Sequence, residues 1–275
     1  MSIKKLLAVD LDGTFLNSKS QVTPENLAAV ARLKRHGIEM AVLTGRTFYE
    51  IPLEIRSCKD IEYFVFSDGA GICHSEKGLR YYCPIDKELA KIVYKVLKNY
   101  DCFIELYSNG NPTVLKDCFN DKALNYYNID PGFIPVMKKT RLGVKSLEAV
   151  LDDEAYKIEM FDVFFKHLSE RQQCVDLLRE QDIEIEITES MTNNLELLAK
   201  GINKGSGLKS LCKCEKINPD DIIVAGDSKN DISAFAFAKE SCAVANACDE
   251  LKAVCTKVIC SNDENIMVYF ENHLL

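Results

Sequence analysis

The chain has 275 residues, 47% of them hydrophobic and 28% charged, with a net charge of -8 and a pI near 5.2. That length fits one large domain or two unequal ones and is enough to bury a sizeable core. The acidic balance argues against a nucleic-acid footprint and against docking on an acidic membrane surface, but a local pocket can still oppose the global sign and take a small anion.

Twelve cysteines are scattered along the chain without a C-x-x-C pair, so structural-zinc and thioredoxin-like spacings are absent. The opening stretch, Met1 to Val9, is interrupted by Asp10 too early for a signal peptide. No apolar run approaches membrane-spanning length. These features predict a cytoplasmic protein with reduced thiols, most of them small core residues. Cys212 and Cys214 are the first candidates for thiol chemistry.

Lys5 to Val9 reads as a buried strand ending in polar residues. Thr23-Pro24-Glu25 has the N-cap, first-turn proline and acid of a helix start, and Gly37 is its stop. Ile38 to Leu43 is a second strand, with Thr44-Gly45-Arg46 at its end. A helix is predicted over Phe48 to Ser57, and a third strand over Tyr63 to Phe66. This order predicts a parallel sheet with right-handed crossovers.

The rhythm changes after Pro84. A helix over Asp86 to Asn99 leads to strands at Phe103 to Tyr107 and Thr113 to Leu115, joined by the turn Asn109-Gly110-Asn111. A strand at Lys157 to Phe165, a helix at Glu170 to Arg179, and strands at Glu184 to Thr188 and Leu195 to Ala199 follow. The stretch reads as an insertion, residues 84–194, within a core of residues 1–83 and 195–275. The parallel rhythm returns with a helix at Lys204 to Leu211, a strand at Ile222 to Ala225, a helix at Ile232 to Lys239 and a short strand at Cys242 to Ala245. The predicted fold is α/β: a Rossmann-like parallel sheet core with an inserted mixed α/β domain.

The polar motifs fall at the carboxyl ends of the predicted strands, the edge where open parallel sheets bind ligands. Asp10, Asp12 and Asp227 converge there, and carboxylates brought together need a cation. Oxygen ligands suit magnesium. The four histidines, His36, His74, His167 and His273, are widely spaced and offer no rival ligand set. Thr44 supplies a hydroxyl, Gly45 a backbone N–H at a helix start, and Lys204 a positive charge. The combination predicts phosphoryl transfer.

Asp10-Leu11-Asp12-Gly13-Thr14, Thr44-Gly45-Arg46, Lys204-Gly205 and Gly226-Asp227-Ser228-Lys229-Asn230-Asp231 resemble, in order and spacing, the four motifs of the haloacid dehalogenase (HAD) superfamily. The surroundings resemble its Cof-type phosphatases of subfamily IIB, which carry a mixed α/β cap of type C2 between the second and third motifs. Asn246-Ala247 resembles that family's late Asn-Ala loop. The resemblance covers nearly the whole chain. Two departures stand out. Asp68-Gly69-Ala70 replaces the usual Asn-Gly-Ala, where an extra acid would weaken phosphate affinity, contact a polar substrate group or only cap a turn. Asn262-Asp263-Glu264-Asn265-Ile266 lacks the usual glycine.

The resemblance implies roles. Asp10 would be the nucleophile and Asp12 the acid–base partner. Asp10, the Asp12 backbone carbonyl and Asp227 would hold Mg2+. Leu11, Thr44, Gly45, Lys204 and Asn230 form the expected phosphate-binding set, and Asp231 would support Lys204 or the metal's water shell. Arg46 would face substrate or cap a helix. The expected activity is hydrolysis of small phosphorylated metabolites, with sugar phosphates foremost. A phosphomutase or phosphotransferase on the same scaffold, and a non-catalytic phosphate-binding regulator, are the alternatives. Cap residues Glu105, Asn109, Lys157, Asn193 and Asn194 are candidates for substrate contact or for solvated turns.

Overall fold

The computed structural model describes residues 5–275. The chain divides into two units, one of residues 1–46, 51–82 and 203–275, the other of residues 47–50 and 83–202.

The first unit is built on strands β1 (Lys5–Val9), β2 (Ile38–Leu43), β3 (Ile61–Phe66), β4 (Gly71–His74) and β5 (Gly78–Tyr82). The second holds β6 (Cys102–Ser108), β7 (Asn111–Leu115), β8 (Leu142–Val144), β9 (Ile158–Phe165), β10 (Ile185–Thr188) and β11 (Asn194–Ala199). The chain returns to the first unit with β12 (Ile222–Gly226), β13 (Glu240–Ala243) and β14 (Lys257–Val258).

In the first unit the strand order is β14-β13-β12-β1-β2-β3-β4-β5. Strands β14 to β3 in that order pair in parallel, and β3, β4 and β5 pair antiparallel. β1 lies between β12 and β2, with Val9 opposite both Ala225 and Val42. The central strands are buried on both faces, and their near-continuous apolar runs follow from that. The crossover helix Pro24–Arg35 starts as its sequence predicts: the Thr23 hydroxyl accepts from the Asn26 amide at 3.1 Å.

Several elements depart from expectation. The predicted helix over Phe48 to Ser57 is broken. A single 3-10 turn at Phe48–Glu50 is followed by a short helix at Leu53–Arg56, because Pro52 has no N–H with which to continue the first turn. The segment Thr47–Glu50 clusters with the second unit. The insertion also ends later than residue 194. β11 pairs with β9 and β10 inside the second sheet, so the return to the first unit falls between Ile202 and Asn203. The hairpin β4–β5 is a further addition to the core sheet, with the outer strand largely exposed.

The second unit has strand order β10-β11-β9-β6-β7-β8. One sheet face carries Leu106, Phe161, Val163, Leu195 and Leu197 into an apolar core with Val93 and Leu97 of helix Lys87–Leu97 and Leu178 of helix Leu168–Glu180. Alternate positions present a polar row: Glu105 is in register with Asp162, and Asp162 with Glu196. Three carboxylates side by side require partners. Arg141 meets Glu105 in a two-point pair, 2.9 and 2.7 Å, and also ion-pairs with Glu50. Tyr107 and Asn194 each donate to Asp162 at 3.2 Å. Burial, and next the Glu105 charge, hold Asp162 up to about 8. Glu105 and Asn194 are therefore buried parts of this network, whereas Asn109 turns a hairpin and bonds the Ala155 carbonyl, and Asn193 bonds the Tyr127 carbonyl.

All twelve cysteines are free thiols, and Cys174, Cys212 and Cys242 are the buried ones. The expectation that most would be core residues fails, since most are only half-buried. Burial pushes the Cys212 thiol up to about 11, which suits a packing residue and not a nucleophile. No described helix is long and apolar enough to cross a membrane.

Candidate active site

Four loops leave the carboxyl ends of the adjacent strands β12, β1, β2 and β3. Asp10 follows β1, Thr44 follows β2, Asp68 follows β3 and Asp227 follows β12. The parallel pairing thus brings together residues far apart in sequence.

After Asp10 the chain makes one wide turn over Leu11–Phe15, in which the Phe15 amide donates to the Asp10 carbonyl at 3.1 Å and the Leu16 amide to the Leu11 carbonyl at 2.8 Å. Gly13 sits in it at φ +72°, and a Cβ there would stand 2.3 Å from Asp227 Oδ2. Only glycine lets this turn pass the second carboxylate. Leu11 is fully buried, so its side chain is a packing residue within the turn. The late loop braces the turn from outside. Asn246 donates to the Gly13 carbonyl at 2.7 Å, and Asn262 to the Leu16 carbonyl at 3.0 Å. Where the usual glycine is missing, Asn265 takes the left-handed conformation at φ +57°, which asparagine tolerates.

Lys204 is the first residue of helix Lys204–Glu215, and Asn203 and Ser206 cap that helix reciprocally. The lysine is 1% exposed, and its ammonium donates to Asp10 Oδ1 at 2.8 Å and Asp231 Oδ1 at 2.7 Å. Burial works to lower the Lys204 pKa, but Asp10, Asp231 and Asp68 outweigh it and hold the group well above its ordinary value. The other oxygen of Asp231 accepts from the backbone amides of Asp227 at 3.0 Å and Ser228 at 3.2 Å. Asp231 therefore fixes both the lysine and the loop bearing Asp227.

Asp10, Asp227 and Asp231 can each offer a carboxylate oxygen within 4.8 Å of the others. Burial, partly offset by Lys204, lifts Asp10 to about 7; burial and the Asp10 charge lift Asp227 to about 9. One lysine does not balance this set, and all its donors are hard oxygens, so the residues fit a divalent cation such as magnesium. Asp231 is already committed to Lys204 and two amides, which leaves Asp10 and Asp227 as the available carboxylates. No histidine joins such a group among the described residues.

Thr44 is buried, and its hydroxyl accepts from the Arg46 amide at 3.1 Å, which leaves the hydroxyl proton to donate. No helix starts at Gly45, contrary to the sequence reading, because the chain runs through bends to the 3-10 turn at Phe48. Arg46 is buried beside Asp12. Its guanidinium forms a two-point pair with Asp12, Nε to Oδ2 at 2.7 Å and Nη2 to Oδ1 at 2.6 Å. Neither this pair nor the contact between Asn230 and Asp68, at 3.3 and 3.4 Å, was visible in the sequence.

Residues 7–270 match the family model of the haloacid dehalogenase-like hydrolases. The chain belongs to that family. Among its full-length relatives is phosphatase YwpJ of Bacillus subtilis, 27% identical over 98% of this chain and 100% of the relative. Another is 5-amino-6-(5-phospho-D-ribitylamino)uracil phosphatase YwtE of the same organism, 29% identical over 98% of each chain. In structure, this HAD-like hydrolase is similar to a haloacid dehalogenase-like hydrolase from B. subtilis, with a TM-score of 0.86 at 26% identity, covering 98% of this chain and 100% of that one. It shares the fold of the HAD subclass IIB sugar phosphatase BT4131, with a TM-score of 0.81 at 19% identity over 98% of both chains. With phosphatases as its full-length relatives, this HAD-like hydrolase is an enzyme of the phosphatase type.

Proposed function

We propose that the chain is a magnesium-dependent cytoplasmic phosphatase acting on small phosphorylated metabolites, with sugar and polyol phosphates its substrate class. The observation that carries this reading is the convergence of Asp10, Asp227 and Asp231 at one sheet edge, with the Lys204 ammonium bonded to Asp10 and Asp231. The substrate class draws support from the phosphoribityl compound and the sugar for which the relative YwtE and the fold neighbour BT4131 are named.

In this reading Asp10 attacks phosphorus as the bond to the leaving oxygen breaks, and Asp12 gives that oxygen its proton. The resulting aspartyl-phosphate is hydrolysed by a water that loses its proton to Asp12 and attacks phosphorus, so that Asp10 returns as a carboxylate and phosphate departs. Thr44, Gly45, Asn230, Lys204 and the Leu11 main chain hold the phosphoryl oxygens. Arg46 acts through Asp12, fixing the plane of its carboxylate. Asp10, Asp227 and the Asp12 carbonyl would hold the divalent ion. When bound, that ion supplies charge neutralisation and orients the phosphoryl group.

The test is phosphate release from an aryl phosphate and from a panel of sugar and polyol phosphates, with magnesium and after chelation. The expected result is release that chelator abolishes and magnesium restores, with no isomeric sugar phosphate formed. An isomeric product would establish the mutase alternative. No release from any monoester would leave the non-catalytic alternative.

A further inference from the structure

Asp68 is fully buried on the turn after β3. It lies between Ser67 and Gly69, and all three hold positive φ, +47°, +47° and +99°. Aspartate and asparagine tolerate this left-handed region better than most side chains. The turn is anchored through its main chain: the Asp68 amide donates to the Thr44 carbonyl at 3.1 Å, and the Ser67 amide to the Arg46 carbonyl at 2.8 Å. None of this requires a negative charge. Asparagine would keep the backbone conformation and could still accept the Asn230 amide.

The charge has a definite setting. Oδ1 lies 3.2 Å from where a Cβ on Gly45 would stand. Both carboxylate oxygens face Asn230 Nδ2, at the long distances of 3.3 and 3.4 Å. Asp68 is also among the groups whose field holds Lys204 charged. Gly45, Asn230 and Lys204 are three of the residues assigned above to the phosphoryl oxygens. The other carboxylates of the site have other work: Asp10 as nucleophile, Asp12 as acid–base partner, Asp227 for the metal, Asp231 to anchor Lys204. Asp68 is the carboxylate that the reaction does not use.

We propose that Asp68 limits the affinity of the site for phosphate, its carboxylate repelling the bound dianion so that inorganic phosphate leaves readily after each turnover. The inference rests on the phosphatase reading. Like charges a few ångströms apart in a partly desolvated site interact more strongly than in water and are weakly screened by salt.

The experiment compares wild type with Asp68→Asn and Asp68→Gly, both compatible with the left-handed backbone. Competitive inhibition by inorganic phosphate is measured in the presence of magnesium, and phosphate binding is measured by calorimetry so that a slow variant still gives an answer. Asp68→Asn is expected to bind phosphate about tenfold more tightly, roughly 1.4 kcal/mol, and Asp68→Gly to tighten it as well. Unchanged or weaker binding in both variants, with native circular dichroism, overturns the proposal and leaves the phosphatase reading standing. A folded wild type that neither binds phosphate nor hydrolyses any monoester overturns both.

Discussion

Asp10→Asn is expected to lower phosphate-monoester turnover by roughly 10⁴-fold or more while the protein stays folded. The rate effect follows from removing the nucleophile of a group that acts as a unit, where losing one member costs nearly as much as losing all. Folding is spared because the main-chain bonds of Asp10 do not involve its side chain: its amide donates to the Ala225 carbonyl at 3.0 Å and its carbonyl accepts from Phe15. The amide oxygen of asparagine can still accept from Lys204. Charge favours the variant, since a carboxylate that burial holds up to about 7 costs stability above that pH. The sign follows from linkage. The folded group binds its proton more tightly than the unfolded one, so its contribution to stability falls as pH rises from the ordinary carboxylate range through about 7. In metal-free buffer at pH 8 the variant is expected to melt at or above the wild-type temperature. Steady-state turnover and a thermal melt check the two halves. A variant with near-wild-type activity would remove Asp10 from the chemistry.

Lys204→Met is expected to lose both activity and stability, and the contrast with Asp10→Asn is informative. Methionine keeps a straight stem of similar length but leaves Asp10 and Asp231 buried without the ammonium that bonds both, at 2.8 and 2.7 Å. Breaking a buried ion pair from one side costs about 3–5 kcal/mol. For a chain of this size that amounts to a fall in melting temperature on the order of 10 °C. Adding magnesium should recover part of the loss, because the cation replaces some of the missing positive charge. Combining Lys204→Met with Asp10→Asn should cost less than the sum of the single changes, as expected for groups in one network. Melting temperatures of the three variants, with and without magnesium, measure this. A Lys204→Met protein as stable as wild type in chelator would contradict the electrostatic role given to the lysine.

The sequence made the chemistry of the site more legible than its wiring. The motifs could be placed because an apolar run such as Lys5–Val9 or Ile222–Gly226 marks a buried parallel strand locally, and the polar residues after it fall at the ligand-binding edge. The contacts that orient those residues join positions far apart in the chain. Asp12 with Arg46, Asp68 with Asn230, and Lys204 with both Asp10 and Asp231 leave no local periodicity to read. Other gaps have local causes. Pro52 divides the stretch Phe48 to Ser57, expected as one helix, into a 3-10 turn and a short helix. β5 is an exposed edge strand, so it lacks the buried-run signal that revealed its neighbours. β11 carries leucines on either side of Glu196, a pattern that either sheet could hold, and its antiparallel pairing with β9 and β10 assigns it to the insertion. Arg141 stood out in no motif, although it is the cation on which buried Glu50 and Glu105 both depend.

The claim that Asp10 carries the phosphoryl group is tested most directly by trapping it. Asp12→Ala protein with magnesium is mixed with an aryl phosphate, whose leaving group needs little protonation, quenched rapidly in acid, and digested for mass spectrometry. The predicted result is one phosphoryl group on the peptide containing Asp10, removed by hydroxylamine and absent when Asp10 is also changed to asparagine. Release of the aryl alcohol in a full burst, with the phosphoryl group on another residue or on none, would contradict the account.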